Sequence, residues 1–222
     1  MCNKSDRPLP SGRITLHAAR LLRWMLFPVC LLLSALYSAR VAYASLSLAF
    51  CTVLYNELHA SSAHWILKNF LNAGGYAAFE AGATLIAGTL CRSATLQETY
   101  EPSASDYSTL DSATVLALCL NAGIIFTTIH TQDFKDVEGD RMIGRKTMPI
   151  VHPKHSRKTV IIGLLTWSVI LAFVWRPDAM TALGFLCLAA FVGIRFLRHT
   201  SVLEDQMSYY LYNVSCPHCA SR

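Results

Sequence analysis

Apolar residues along this chain gather into six runs, at about 24–39, 41–55, 73–90, 109–129, 160–175 and 179–196, divided by short polar breaks. Each run is far longer than a buried strand and none alternates, so the pattern predicts helices. Several fall short of the roughly 20 residues that cross a bilayer. Flanking Ser, Thr, His and Arg side chains extend them, and the long ones snorkel to the interface. The expectation is an all-α, polytopic transmembrane helical bundle of about six spans, forming a single membrane-embedded domain over 1–222. The break at Arg40 between the first two spans is the narrowest.

Composition agrees with a membrane setting. The 222 residues are 53% hydrophobic and only 15% charged, where a soluble domain is nearer about 25% charged. Six spans put the N-terminus, the 56–69 loop, the 132–158 loop and the C-terminal tail on one side. Of the 19 Lys and Arg, 16 then share that side, and Arg40, Arg92 and Arg176 lie opposite. Such a bias marks the cytoplasmic face. The expected localisation is an integral, multi-pass protein of the endoplasmic reticulum or another endomembrane, with the acidic 97–111 loop in the lumen. The split also accounts for the net charge of +5 without nucleic acid, and no basic patch interleaved with aromatics is present. Neither a cleavable signal peptide nor an obligate protein partner is evident. Cys30, Cys51, Cys91, Cys119 and Cys187 sit singly in apolar runs as small hydrophobes. Cys216-Pro-His-Cys219 is a C-x-x-C without the following helix that thiol chemistry needs.

One polar stretch carries most of the chemistry. Residues 131–149 follow the fourth apolar run directly and hold three aspartates, a glutamate and four cationic residues. If the helix continues, Asp133, Asp136 and Asp140 stand at i, i+3 and i+7, within roughly 60° on one face at about 100° per residue. Three such carboxylates repel one another unless a divalent cation compensates them. Hard oxygen ligands suit Mg²⁺, which takes a few carboxylates together with substrate phosphates. Arg141, Arg145 and Lys146 follow, placed to neutralise phosphate oxygens. The plainer alternative is a charged cytoplasmic loop, but that requires only Lys and Arg, not spaced aspartates.

Other polar positions have paired readings. His130 abuts the aspartates as a helix cap or a substrate contact. Asn56, Glu57 and His59 close the second span as an interfacial helix end. Asn72 and Asn121 stand beside small residues that permit close helix contact with a hydrogen bond across it. Glu80 lies within an apolar span, where ionisable groups face the bundle interior or a water-filled cavity. Tyr76 and Phe79 offer aromatic faces to a carbocation or pack in the core.

With these residues in view, the chain resembles the UbiA-type intramembrane prenyltransferase superfamily, and within it the fungal branch that includes membrane terpene cyclases. The family's second aspartate motif, D-x-x-D-x-x-x-D followed by G-R/K-x-T-x-P, is matched by Asp133, Asp136 and Asp140 and then Gly144-Arg145-Lys146-Thr147-Met148-Pro149. Asn3-Lys4-Ser5-Asp6-Arg7-Pro8-Leu9-Pro10-Ser11-Gly12-Arg13-Ile14 resembles the family's N-K-P-x-R-P-L-x-S-G-R-I, with Ser5 in place of proline. That segment trails the first aspartate motif, N-x-x-x-D-x-x-x-D, whose aspartates would lie upstream of Met1. Residues 208–213 resemble the entry to the ninth helix of the family fold, and 214–222 are expected to be a tail outside it. The resemblance thus covers about 3–213 and implies roughly six spans of a nine-helix bundle, incomplete at both ends.

The resemblance implies a Mg²⁺-dependent membrane enzyme acting on a prenyl diphosphate in terpenoid or meroterpenoid specialised metabolism. Asp133, Asp136 and Asp140 would bind the metal, with Asp136 and Asp140 catalytic, and Arg7, Arg145 and Lys146 would hold the diphosphate. The partners implied are the prenyl diphosphate and the lipid bilayer. Prenyl transfer to an acceptor is the expected activity, with terpene cyclisation as the alternative and a catalytically inert membrane remnant as the third. Lacking the first motif, the chain is expected to turn over prenyl diphosphate poorly.

Overall fold

The computed structural model describes residues 8–95 and 110–215. Among them every regular element is helical. In order these are α1 (Leu16–Tyr37), α2 (Ala39–Asn56), α3 (Ala60–Ala63), α4 (Trp65–Thr95), α5 (Ser112–Thr128), a 3-10 helix (Ile129–Asp136), α6 (Val137–Met142), α7 (Met148–Val151), α8 (Ser156–Trp175), α9 (Ala179–Arg198) and α10 (Val202–Ser215). Among the described residues four stretches are long and apolar enough to cross a membrane: α1, Ser112–Met142 taken through the 3-10 turn, α8 and α9. The second and third expected spans, in α2 and α4, are not among the four. Arg40 and Asn56 dilute the ends of α2, and Glu80 with its neighbouring glycines dilutes α4.

Contacts divide the chain into two compact units, Met1–Val53 with Gly74–Leu118, and Leu54–Ala73 with Cys119–Arg222. In the first, Thr15 caps α1 by accepting from Ala18 N, and no α1 residue is buried. A helix this apolar that buries nothing against protein is suited to a lipid surround. Ser34 and Ser45 share a 2.6 Å hydrogen bond between α1 and α2. Small residues bring α2 and α4 together: a Cβ added at Gly74 would meet Cys51 Sγ at 3.4 Å, and one at Gly82 would meet Ala44 Cβ at 3.5 Å. This is the small-residue packing that membrane helices use.

The second unit has the denser core. Helices α8 and α9 form a hairpin whose turn is set by Arg176, in the left-handed region at φ 47°, and by Asp178, which caps α9 through Met180 N and Thr181 N. At Gly193 the approach is so close that an added Cβ would lie 2.6 Å from Ile161 Cγ1 and 2.9 Å from its Cα. Phe134, Val160, Leu164, Ala189, Val192, Phe196 and Tyr212 make one buried cluster. It joins the aspartate segment to α8, α9 and α10. Asn56 does close α2, and with His59 it lies exposed. Lys68, expected in a loop, is already inside α4. Helix α10 covers the stretch that resembled a ninth-helix entry; Arg7, Cys216 and Cys219 lie outside the described residues.

Candidate active site

The expected continuous helix through the aspartates is not what forms. Thr127 and Thr128 bond back to α5, with Thr127 Oγ1 2.9 Å from Gly123 O and Thr128 Oγ1 2.6 Å from Ile124 O. Such back-bonding loosens and bends a helix, and the β-branched run Thr127-Thr128-Ile129 adds crowding. At Thr128 the backbone leaves helical geometry (φ −120°, ψ −11°), and Ile129–Asp136 continue as a 3-10 helix. In a 3-10 helix residues three apart eclipse, so Asp133 and Asp136 line up. Helix α6 then carries Asp140 one turn further on. The winding differs from the one expected, and burial separates the acids: Asp133 and Asp140 are buried, Asp136 is half-buried and Glu138 is exposed.

Opposite the aspartates stands the first turn of α4. Lys68 and Asp133 are both almost fully buried, and Lys68 Nζ donates to Asp133 Oδ1. Next to it, Asn69 Nδ2 donates to Phe126 O at 3.1 Å and ties α4 to α5. Asn72, three residues along and expected to make a bond across helices, lies within hydrogen-bonding reach of the Tyr55 hydroxyl of α2. Arg145 folds back on Asp140, its backbone N 2.9 Å from Asp140 O and its Nη1 3.2 Å from Asp140 Oδ1. Gly144, at φ 73°, supplies the left-handed residue this reversal requires. The Tyr55 hydroxyl is within electrostatic reach of Arg145, Asp133, Asp140 and Asn72. Asp136 and Asp140 are likewise within reach of Asp133. Lys146 is exposed, with its backbone N bonded to Ser62 O.

Several buried polar atoms here have no hydrogen-bond partner among the described residues: Asn69 Oδ1, Thr131 Oγ1, Asp133 Oδ2, Arg145 Nε and Thr147 Oγ1. Natural proteins rarely leave such atoms unmatched without a functional reason. As to a metal, no group of three His, Cys, Asp or Glu among the described residues lies close enough to hold an ion unaided. Lys68 and Arg145 already engage two of the aspartates. The donors nonetheless suit Mg²⁺ in kind, because that ion uses one or two carboxylates and draws its other ligands from water and phosphates. The buried, unmatched Oδ2 of Asp133 is such a donor.

His130 is completely buried, with Nε2 3.1 Å from Ser156 O and 3.2 Å from Thr159 Oγ1. It thus joins the aspartate segment to α8. In the other unit Tyr76 and Phe79 are 45% and 62% exposed, while Glu80 is half-buried. Lys68, Asn69 and Tyr55 were missed as site residues. The signal for Lys68 was a lone ionisable group on an otherwise apolar helical stretch, which marks function in membrane helices.

Comparison with known proteins completes the picture. Residues 1–214 match the profile of the UbiA prenyltransferase family. The chain belongs to this family. It is 29% identical, over 94% of its length, to the fumagillin beta-trans-bergamotene synthase of Aspergillus fumigatus, covering 66% of that protein. It is 31% identical over 95% of its length to a diterpene cyclase of Hericium erinaceus, covering 62% of it, and 27% identical over 96% to a polyprenyl transferase of the same organism, covering 67%. The chain thus spans about two thirds of the length of the curated relatives it matches. No solved structure matches it. UbiA enzymes are generally magnesium-dependent and act on prenyl diphosphates, and the chain is a multi-pass membrane protein of that family.

Proposed function

We propose that this UbiA-family protein is a magnesium-dependent membrane enzyme that ionises a prenyl diphosphate at the aspartate segment and passes the prenyl cation to an acceptor. The observation that carries it is the buried Asp133 carboxylate, held on one oxygen by Lys68 and unmatched on the other, beside the Arg145–Asp140 pair. Asp133, Asp136 and Asp140 would hold the metal, and Arg145, Lys146 and Arg7 the diphosphate. Bound there, magnesium offsets the charge that develops on the leaving diphosphate.

The protein's own residues supply the rest. Arg145 contributes charge-assisted N–H donors that can turn from Asp140 to a phosphate oxygen. Lys68 keeps Asp133 fixed before the substrate arrives, which lowers the reorganisation needed at reaction. The allylic C–O bond breaks with its electron pair leaving on the diphosphate. The cation then bonds to the acceptor, which loses a proton. Apolar walls from a bundle of about six spans in one membrane domain would keep water from the cation. The 132–158 segment would face the cytosol of an endomembrane, and the product would be a terpenoid or meroterpenoid.

A second reading, cyclisation by the cation's own double bonds, is favoured by the names of two of the three relatives quoted above. One experiment tests both. Membranes carrying the protein are given farnesyl or geranylgeranyl diphosphate with magnesium, with and without an aromatic acceptor. Prenylated acceptor supports transfer, and a cyclic hydrocarbon formed without acceptor supports cyclisation. Diphosphate released in neither case overturns both in favour of an inert protein.

A further inference from the structure

The aspartate segment winds as a 3-10 helix over eight residues, although such helices seldom persist beyond about three to four because their hydrogen bonds are poorly aligned. Something outside the segment has to hold it. Phe134, directly after Asp133, is 5% exposed and is covered by the guanidinium of Arg157, 4.4 Å from the ring centroid. Phe196 packs on the same ring at 5.6 Å. Lys135 in turn lies over the Tyr209 ring of α10 at 4.4 Å.

Arg157 is itself held from several sides. Its Nη1 donates at 2.7 Å to Oδ1 of Asp205, in the first turn of α10, and its Nη2 at 2.7 Å to Oδ2. Nη1 also donates at 2.7 Å to Phe196 O and at 3.3 Å to His199 O, carbonyls at the end of α9 that no further helical turn would satisfy. One planar side chain thus joins the start of α8, the end of α9 and the start of α10, and presents its face to Phe134. Lysine cannot do this, having neither the fork nor the flat face.

We infer that Arg157 is a positioning residue: clamped by Asp205, it presses on Phe134 and so sets the winding that places Asp133 and Asp136 in line. The inference rests on the metal-diphosphate reading above, but predicts behaviour that reading does not. Residues that orient metal ligands without touching the metal typically change affinity by about 10- to 100-fold when altered.

The test uses the full chain in detergent and Mn²⁺ as a spin probe, titrated with and without inorganic pyrophosphate and followed by electron paramagnetic resonance. Phe134→Leu keeps apolar bulk and the Arg157–Asp205 pair but removes the ring face. Arg157→Lys keeps charge but loses the fork. Both are expected to weaken Mn²⁺ binding about tenfold. Val192→Ala, a cavity in the same core cluster away from the aspartates, is expected to lower the melting temperature comparably while leaving affinity within about twofold. If Val192→Ala weakens binding as much, or Phe134→Leu leaves it unchanged, the inference fails and the metal reading stands. If the unaltered chain binds no Mn²⁺ under either condition, the metal reading fails and takes the inference with it. Should Arg157→Lys not fold, Phe134→Leu decides alone.

Discussion

The Lys68–Asp133 pair gives the sharpest quantitative expectation. Both side chains are almost wholly removed from solvent, 3% and 5% exposed, so neither charge has water to fall back on. Replacing Lys68 by Met leaves a buried carboxylate facing a thioether, and replacing Asp133 by Asn leaves a buried ammonium facing an amide. Breaking a buried pair from one side costs about 3–5 kcal/mol. In a chain of this size that lowers the melting temperature by on the order of 10 °C. The double variant Lys68→Met/Asp133→Asn buries no charge, and its remaining cost is one poorly satisfied amide, about 1–3 kcal/mol. The double should therefore be more stable than either single variant, with a coupling of at least about 3 kcal/mol, at or beyond the upper end for neighbouring residues. Thermal unfolding of the four proteins in one detergent, followed by tryptophan fluorescence, measures it. A double variant whose loss equals the sum of the singles would refute the pair as a coupled buried contact.

Other outcomes follow from the same geometry. In a catalytically active preparation, Asp136→Ala or Asp140→Ala should abolish diphosphate release while Glu138→Gln, at an exposed position of α6, is tolerated; retained turnover in the aspartate variants would remove the metal assignment. Gly193→Ala should cost about 1–3 kcal/mol by overpacking against Ile161, whereas Gly184→Ala, whose Cβ would meet nothing within 4 Å, should not destabilise. Equal melting temperatures for the two would mean the helices of the α8–α9 hairpin do not sit this close. A glycosylation acceptor introduced near Pro153 should stay unmodified, and one near Ser103, outside the described residues, should be modified; the reverse pattern would mean the spans are miscounted.

What could be read in advance was what depends on local pattern. The apolar runs located the main helices, and the i, i+3, i+7 spacing put Asp133, Asp136 and Asp140 on one side and Glu138 on another. Burial follows that division despite a change of winding, since a 3-10 turn also brings i and i+3 into line. The change itself was not legible: it depends on Thr127 and Thr128 bonding back to α5, and on Arg157, Phe196 and Tyr209 gripping the segment from afar. Lys68 was counted as a loop cation because charge tallies carry no information about burial. Asp205 and Arg157, 48 residues apart, are two ordinary charged residues until the fold makes them neighbours. Long-range pairing of this kind has no periodicity to betray it.

The grip of α10 on the aspartate segment also sets an order in time. Thr128 Oγ1 meets the Tyr212 hydroxyl at 2.9 Å, and Lys135 meets Tyr209, so the segment's final winding waits for residues roughly 80 positions downstream. At ribosomal speeds of about 5–20 residues per second, that is a delay of about 4–16 s during synthesis. Through that interval α5 is already made while the aspartates that follow it lack their clamp. A nascent protein halted before Tyr209 would carry every aspartate of the segment without the α10 contacts that Thr128 and Lys135 make.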